Sequence, residues 1–139
     1  MIMSFINRIS VPFARVAIFV IYFWFGLLKL IGESPASPMV KALFGKTIET
    51  TFHSLSFPNF LILFALFEML IGISFLIPKL DKLSFILLTL HLITTSLPIF
   101  MLSHVVWART WVPTLEGQYI IKNLAIIGLA LNIANKRNV

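Results

Sequence analysis

Glu68 stands inside an apolar run, FLILFALFEMLIGISFLIP (residues 60–78), and a carboxylate in such surroundings needs either a counter-charge or a task. Its neighbours three and four residues away include Ala65 and Gly72, small residues that let another helix come close, so Glu68 is expected to point at a helix partner. At the helical rise it lies roughly 13 Å from one end of its apolar segment. Other polar groups fall at comparable depth. Lys122, followed by Asn123, lies roughly 8 Å into a later apolar segment. Lys29 closes the first segment, and His91, Thr94 and Thr95 share one face of a third. Lys122 is the first choice of partner for Glu68, and Lys29 the second. With both lysines charged, the group Lys29, Glu68 and Lys122 carries one spare positive charge, which suits Glu116, Glu33 or an anionic or carbonyl-bearing ligand. Pro98 frees the carbonyl of Thr94, which then needs a donor.

Several chemistries find no support. Nothing resembles a nucleophile elbow, a zinc-protease helix, a phosphate loop or a dinucleotide-binding glycine pattern. There is no cysteine, so disulfides, thiolate metal sites and thiol redox chemistry carried by this chain fall away, and no metal site is expected. His91 lacks an obvious second axial ligand for haem, and His53 and His104 fall in loops. The formal charge of +6 is scattered, without a basic stripe or nucleic-acid motif, so nucleic acid is not an expected partner. No internal repeat suggests a repeat-built transporter.

The elements that position these groups follow from composition. The 139 residues are 59% hydrophobic and 12% charged, too apolar for a water-soluble domain of this length, so the lipid bilayer is the expected solvent. Four segments are long enough to cross it as helices: about 11–31, 59–77, 83–102 and 117–136, in a single domain covering 1–139. The fold expected is an all-α, integral membrane four-helix bundle. Lys29 ends the first apolar run without a small-residue cleavage site after it, so that run reads as a span rather than a cleaved signal. Arg8, Arg15, Lys79, Lys82, Lys136 and Arg137 gather on one side, which places that side, with both termini, in the cytoplasm. The link PKLDKL between spans two and three is then a tight cytoplasmic turn.

The first outer loop carries Val40, Leu43, Phe44, Ile48 and Phe52 at helical spacing, which predicts a short amphipathic helix, either a lid over the bundle or a cover for its helix ends. Trp107 and Trp111 in the second outer loop are expected to anchor at the interface. Gly26, Gly72 and Gly128 are expected to serve helix packing.

Three stretches, FWFGLLKLIG, FEMLIGISFLIP and EGQYIIKNLAIIGLAL, resemble the DoxX-like superfamily of small four-helix bacterial membrane proteins. Gly26 to Lys29, Glu68 to Gly72, and Lys122 with Asn123 match its pattern of G-x-x-K, E-x-x-x-G and a lysine followed by Asn or Asp. The reactive-chlorine-resistance or YkgB-like branch is similar through WFGLLK and G-x-x-x-x-K-N. The resemblance implies an inner-membrane, multi-pass bundle and, for some relatives, a part in quinone reduction or oxidative-stress defence beside soluble redox enzymes. On that reading the chain is an accessory protein rather than an enzyme by itself. It would bind a quinone or another lipophilic ligand through Glu68, Lys122, Asn123, Lys29, His91, Thr94 and Thr95, with the bilayer and a redox protein as partners. The alternatives are a small-solute transporter and a non-catalytic membrane scaffold.

Overall fold

A computed structural model of the chain describes residues 2–135. Lys136 and Arg137, two of the basic residues that set the expected orientation, lie outside the described residues, and Lys136 is also the last residue of the expected fourth span.

Helix α1 covers Ile2–Leu30, α2 Ser37–Thr51 and α3 Phe57–Phe75. After a single 3-10 turn at Pro78–Leu80 come α4 (Asp81–Ser96), α5 (Pro98–Met101) and α6 (Ser103–Val106). Two short strands, β1 (Trp107–Arg109) and β2 (Val112–Pro113), precede α7 (Leu115–Asn135). Four segments are long and apolar enough to cross a membrane: Ser4–Leu30, Phe57–Phe75, Pro78–Met101 and Leu115–Asn135. Around the bundle α1 lies between α3 and α7, and α4 closes the ring by touching the same two helices.

The α1–α3 pair is the tightest seam, and two glycines make it so. A Cβ on Gly26 would sit 2.7 Å from the Ala65 carbonyl oxygen, and one on Gly72 3.0 Å from the Phe23 amide nitrogen. Gly26 meets Ala65 and Met69 while Gly72 meets Phe19, Tyr22 and Phe23, so the two helices run antiparallel. Gly128 differs from the expected packing role, because nothing lies within 4 Å of the Cβ it lacks. Gly26→Ala should therefore force the helices apart and cost about 1–3 kcal/mol. Gly128→Ala should leave stability unchanged or raise it by up to about 1 kcal/mol, since alanine is the better helix former. Thermal unfolding in detergent measures both, and equal losses would refute the distinction.

Below the seam Ala14, Ile18, Tyr22, Ile71, Phe75, Leu88, Ala130 and Ile133 form the buried core. At that end the α3–α4 turn is held by Arg15. Its guanidinium donates to both carboxylate oxygens of Asp81, at 2.7 and 2.8 Å, and to the Phe75 carbonyl at 2.8 Å. Phe75 is the last residue of α3 and Asp81 the first of α4, so one side chain satisfies a helix-end carbonyl and grips the next helix start.

Three features differ from the expected spans. Helix α1 starts at Ile2 rather than near residue 11, running through Pro12. The end of α7 supports this extension, with Asn132 Nδ2 donating to the Ser10 carbonyl at 3.5 Å. The third crossing is composite, because Pro98 breaks it after Ser96; the freed Thr94 carbonyl is taken by the Leu97 amide at 3.3 Å. The second long loop contains an antiparallel hairpin whose turn holds Trp111 at a φ of 62°, a left-handed conformation without glycine. Trp111 is exposed. The helix expected in the first long loop is present as α2. Phe44 on α2 is buried against Phe57 and Phe60 of α3, at ring distances of 5.6 and 5.0 Å.

Candidate functional site

Three α1 residues share one stripe at seven-residue spacing: Arg15, Tyr22 and Lys29. The first grips the α3–α4 turn, and the other two reach a buried polar network in the opposite half of the bundle. On α3, Ala65, Glu68, Gly72 and Phe75 form the matching stripe, and all four are buried. On α4, Ser84, Leu88 and His91 do the same.

Lys29 Nζ donates to Glu68 Oε2 at 2.6 Å, and His91 Nε2 lies 3.0 Å from Glu68 Oε1. The Tyr22 hydroxyl is 3.2 Å from His91 Nδ1. The carboxylate is an acceptor only, so the Nε2 proton points at it. A neutral imidazole then has a bare Nδ1, which accepts from the tyrosine hydroxyl. Every polar atom in the chain Tyr22–His91–Glu68 has a partner in this arrangement, and the formal charges of Lys29 and Glu68 cancel. Burial is nearly complete, with Lys29, Glu68 and His91 each between 5 and 6% exposed. Charges so deeply held persist only when paired and hydrogen-bonded.

Aromatic rings enclose the network. Tyr22 meets the His91 ring edge-on at 4.9 Å, and Phe64 stacks on it at 5.5 Å with the planes 13° apart. Phe64 also faces the Lys29 ammonium, 5.6 Å from its ring centre. An ammonium has three N–H donors. Among the described residues only Glu68 accepts one from Lys29.

Phe64 also lines a cavity of about 220 Å³ beneath α2. Its walls come from α2 (Leu43, Phe44, Thr47), α3 (Phe60, Phe64) and the broken third crossing (Thr94, Thr95, Pro98). The three threonine hydroxyls donate to carbonyls of their own helices. Lys46 ties α2 down by donating to the Met101 carbonyl at 2.9 Å.

The structure thus brings Glu68, Lys29 and His91 together. It sets Thr94 and Thr95 on the cavity wall and Asn123 beside Thr95, at 3.4 Å. The expected Glu68–Lys122 pair does not form. Lys122 is exposed on α7, its ammonium 5.4 Å from the Tyr119 ring centre, and Lys29 holds the carboxylate instead. The reason is azimuthal: α7 contacts α1 and α4 but lies across the ring from α3. With Lys122 gone from the cluster, the spare positive charge expected there is gone too. Sequence reasoning missed Tyr22, Phe64 and the Arg15–Asp81 pair. The seven-residue repeat on α1 was the available signal for Tyr22; Phe64, one turn before Glu68, had none.

Fold and site together describe a chain with four membrane-length helices and a buried ion-pair network in one half of the bundle, next to an apolar cavity. No family model, curated protein or solved structure matches this chain.

Proposed function

We propose that this is a DoxX-like protein of the bacterial inner membrane that holds a quinone or other lipophilic ligand in support of redox or oxidative-stress defence. Both termini and the Pro78–Leu80 turn face the cytoplasm in this reading, and α2 covers the outer end. The observation that carries it is that Phe64 both lines the apolar cavity under α2 and contacts the buried Lys29 and His91, which pair with Glu68. Apolar walls with a few convergent polar groups are what lipophilic ligands need. Lys29 supplies a donor, Glu68 and His91 hold it in place, and Thr94, Thr95 and Asn123 line or back the cavity. Without cysteine, electrons would come from the ligand itself or from a partner protein.

Transport across the membrane fits less well. Between Tyr22 and Arg15 the interior is filled by Ile18, Ile71, Phe75 and Leu88, all at most 2% exposed, so among the described residues an apolar plug lies between the two halves. A scaffold is the second reading, and Lys122 favours it, because an ammonium on the outer surface of α7 is placed to meet an acidic group on a neighbouring protein.

Protein extracted with its native lipid should carry close to one quinone or lipid per chain, measured by solvent extraction and mass spectrometry. The paired neutral change Lys29→Met with Glu68→Gln should lose it. Ligand-free protein straight from the membrane would overturn the reading. A stable partner lost in Lys122→Met, with the network variant unaffected, would select the scaffold.

A further inference from the structure

We infer that Phe64 is the gate of this cavity and the Lys29 ammonium its selectivity element, so that the ligand is a planar ring bearing a hydrogen-bond acceptor. The inference rests on the reading that the cavity holds a lipophilic molecule.

The walls themselves do not select an oxygen. Thr47, Thr94 and Thr95 spend their hydroxyl protons on carbonyls of their own helices. Two N–H groups of Lys29, which faces the Phe64 ring, have no protein acceptor among the described residues. That ring borders both spaces, lining the cavity and facing the ammonium at 5.6 Å. A phenylalanine ring moves between staggered rotamers without backbone change. Once it swings aside, cavity and ammonium become continuous. An acceptor oxygen then replaces a cation–π contact with a charge-assisted hydrogen bond, the stronger interaction.

A single ring fits the space and its shape. A cavity of about 150 Å³ is enough to hold benzene. The space here, about 220 Å³, admits one substituted six-membered ring. The aromatic groups beside it lie nearly parallel: Phe60 and Phe64 are 11° apart, and Phe64 and His91 13°. Such a row favours a flat molecule over a branched one. The Lys29 ammonium can only donate, so the ligand atom that meets it must be an acceptor.

The test uses a matched pair of probes, duroquinone and durene, which share the ring and four methyl groups and differ in the two carbonyl oxygens. Binding is measured as uptake by nanodiscs containing the full chain over empty nanodiscs. Duroquinone should bind about ten-fold more tightly than durene, one charge-assisted hydrogen bond's worth of discrimination. The paired change Lys29→Met with Glu68→Gln should bring the ratio of duroquinone to durene affinity down to about one. Phe64→Leu leaves the ion pair intact and should speed duroquinone association about ten-fold in stopped flow, as a smaller, non-aromatic gate opens more easily. Equal binding of the two probes, a preference that survives the paired change, or an unaltered rate in Phe64→Leu overturns the inference and leaves lipophile binding standing. Failure of both probes to bind removes the underlying reading as well.

Discussion

Lys29→Met alone should destabilise the bundle by about 3–5 kcal/mol, and adding Glu68→Gln should recover most of that loss. The single change leaves the Glu68 carboxylate 5% exposed, with only the imidazole of His91 as a hydrogen-bonding partner. An uncompensated buried charge is among the most damaging defects a protein can carry, whereas removal of both charges is close to neutral. Glutamine keeps the shape of the carboxylate, and its amide oxygen can still accept from His91 Nε2. Methionine fills most of the lysine stem's volume and is well suited to the side of the Phe64 ring. Denaturation in mixed detergent, followed by circular dichroism, gives the four corners of a double-mutant cycle. A double variant as unstable as the single one would show that the pair is not what Glu68 depends on.

The second large effect is expected at the other end of α1. Asp81→Ala removes both carboxylate acceptors of the Arg15 guanidinium and leaves it the Phe75 carbonyl at 2.8 Å. Asp81 is 3% exposed and the Arg15 side chain 14%, so water compensates the orphaned cation only slightly. The loss should be about 2–4 kcal/mol, a little below that of a fully enclosed pair. A further readout is local. The turn carries Lys79 and Lys82 on either side of the clasp, and trypsin should cut there faster once Asp81 is gone. Unchanged cleavage together with unchanged stability would assign the grip on the turn to the helix packing alone.

The four membrane-length segments were legible because hydropathy is a local property. Residues 59–77 and 117–136 each lie within two residues of the helices observed, except that Lys136 falls outside the described residues. Helix α2 was legible for the same reason, since its apolar spacing is read within fifteen residues. Partner choice was not. Lys29, one residue before the end of α1, and Lys122, seven residues into α7, both lie towards the same end of the bundle, and position along a helix does not say which helix is adjacent to α3 or how each is rotated. The close approach at Gly26 and Gly72 decides that question, and it is a property of two helices at once. The hairpin at Trp107–Arg109 escaped for another reason. Its turn uses Trp111 at a positive φ, where sequence signals look for glycine or asparagine.

Helix α1 carries both Arg15 and Lys29, while their counter-ions, Asp81 and Glu68, arrive later in the chain on α4 and α3. During synthesis the first span therefore leaves the ribosome with these two cations still unneutralised, about 21 Å apart along its axis. Each costs up to about 2.5–3.5 kcal/mol if it must enter lipid unpaired, most at the middle of the span and less towards its ends. The hairpin of α3 and α4 brings two acids that carry a similar cost by themselves. Neither half of the nascent protein is well suited to lipid until the other has been made, so the insertion machinery is expected to retain α1 until the hairpin joins it.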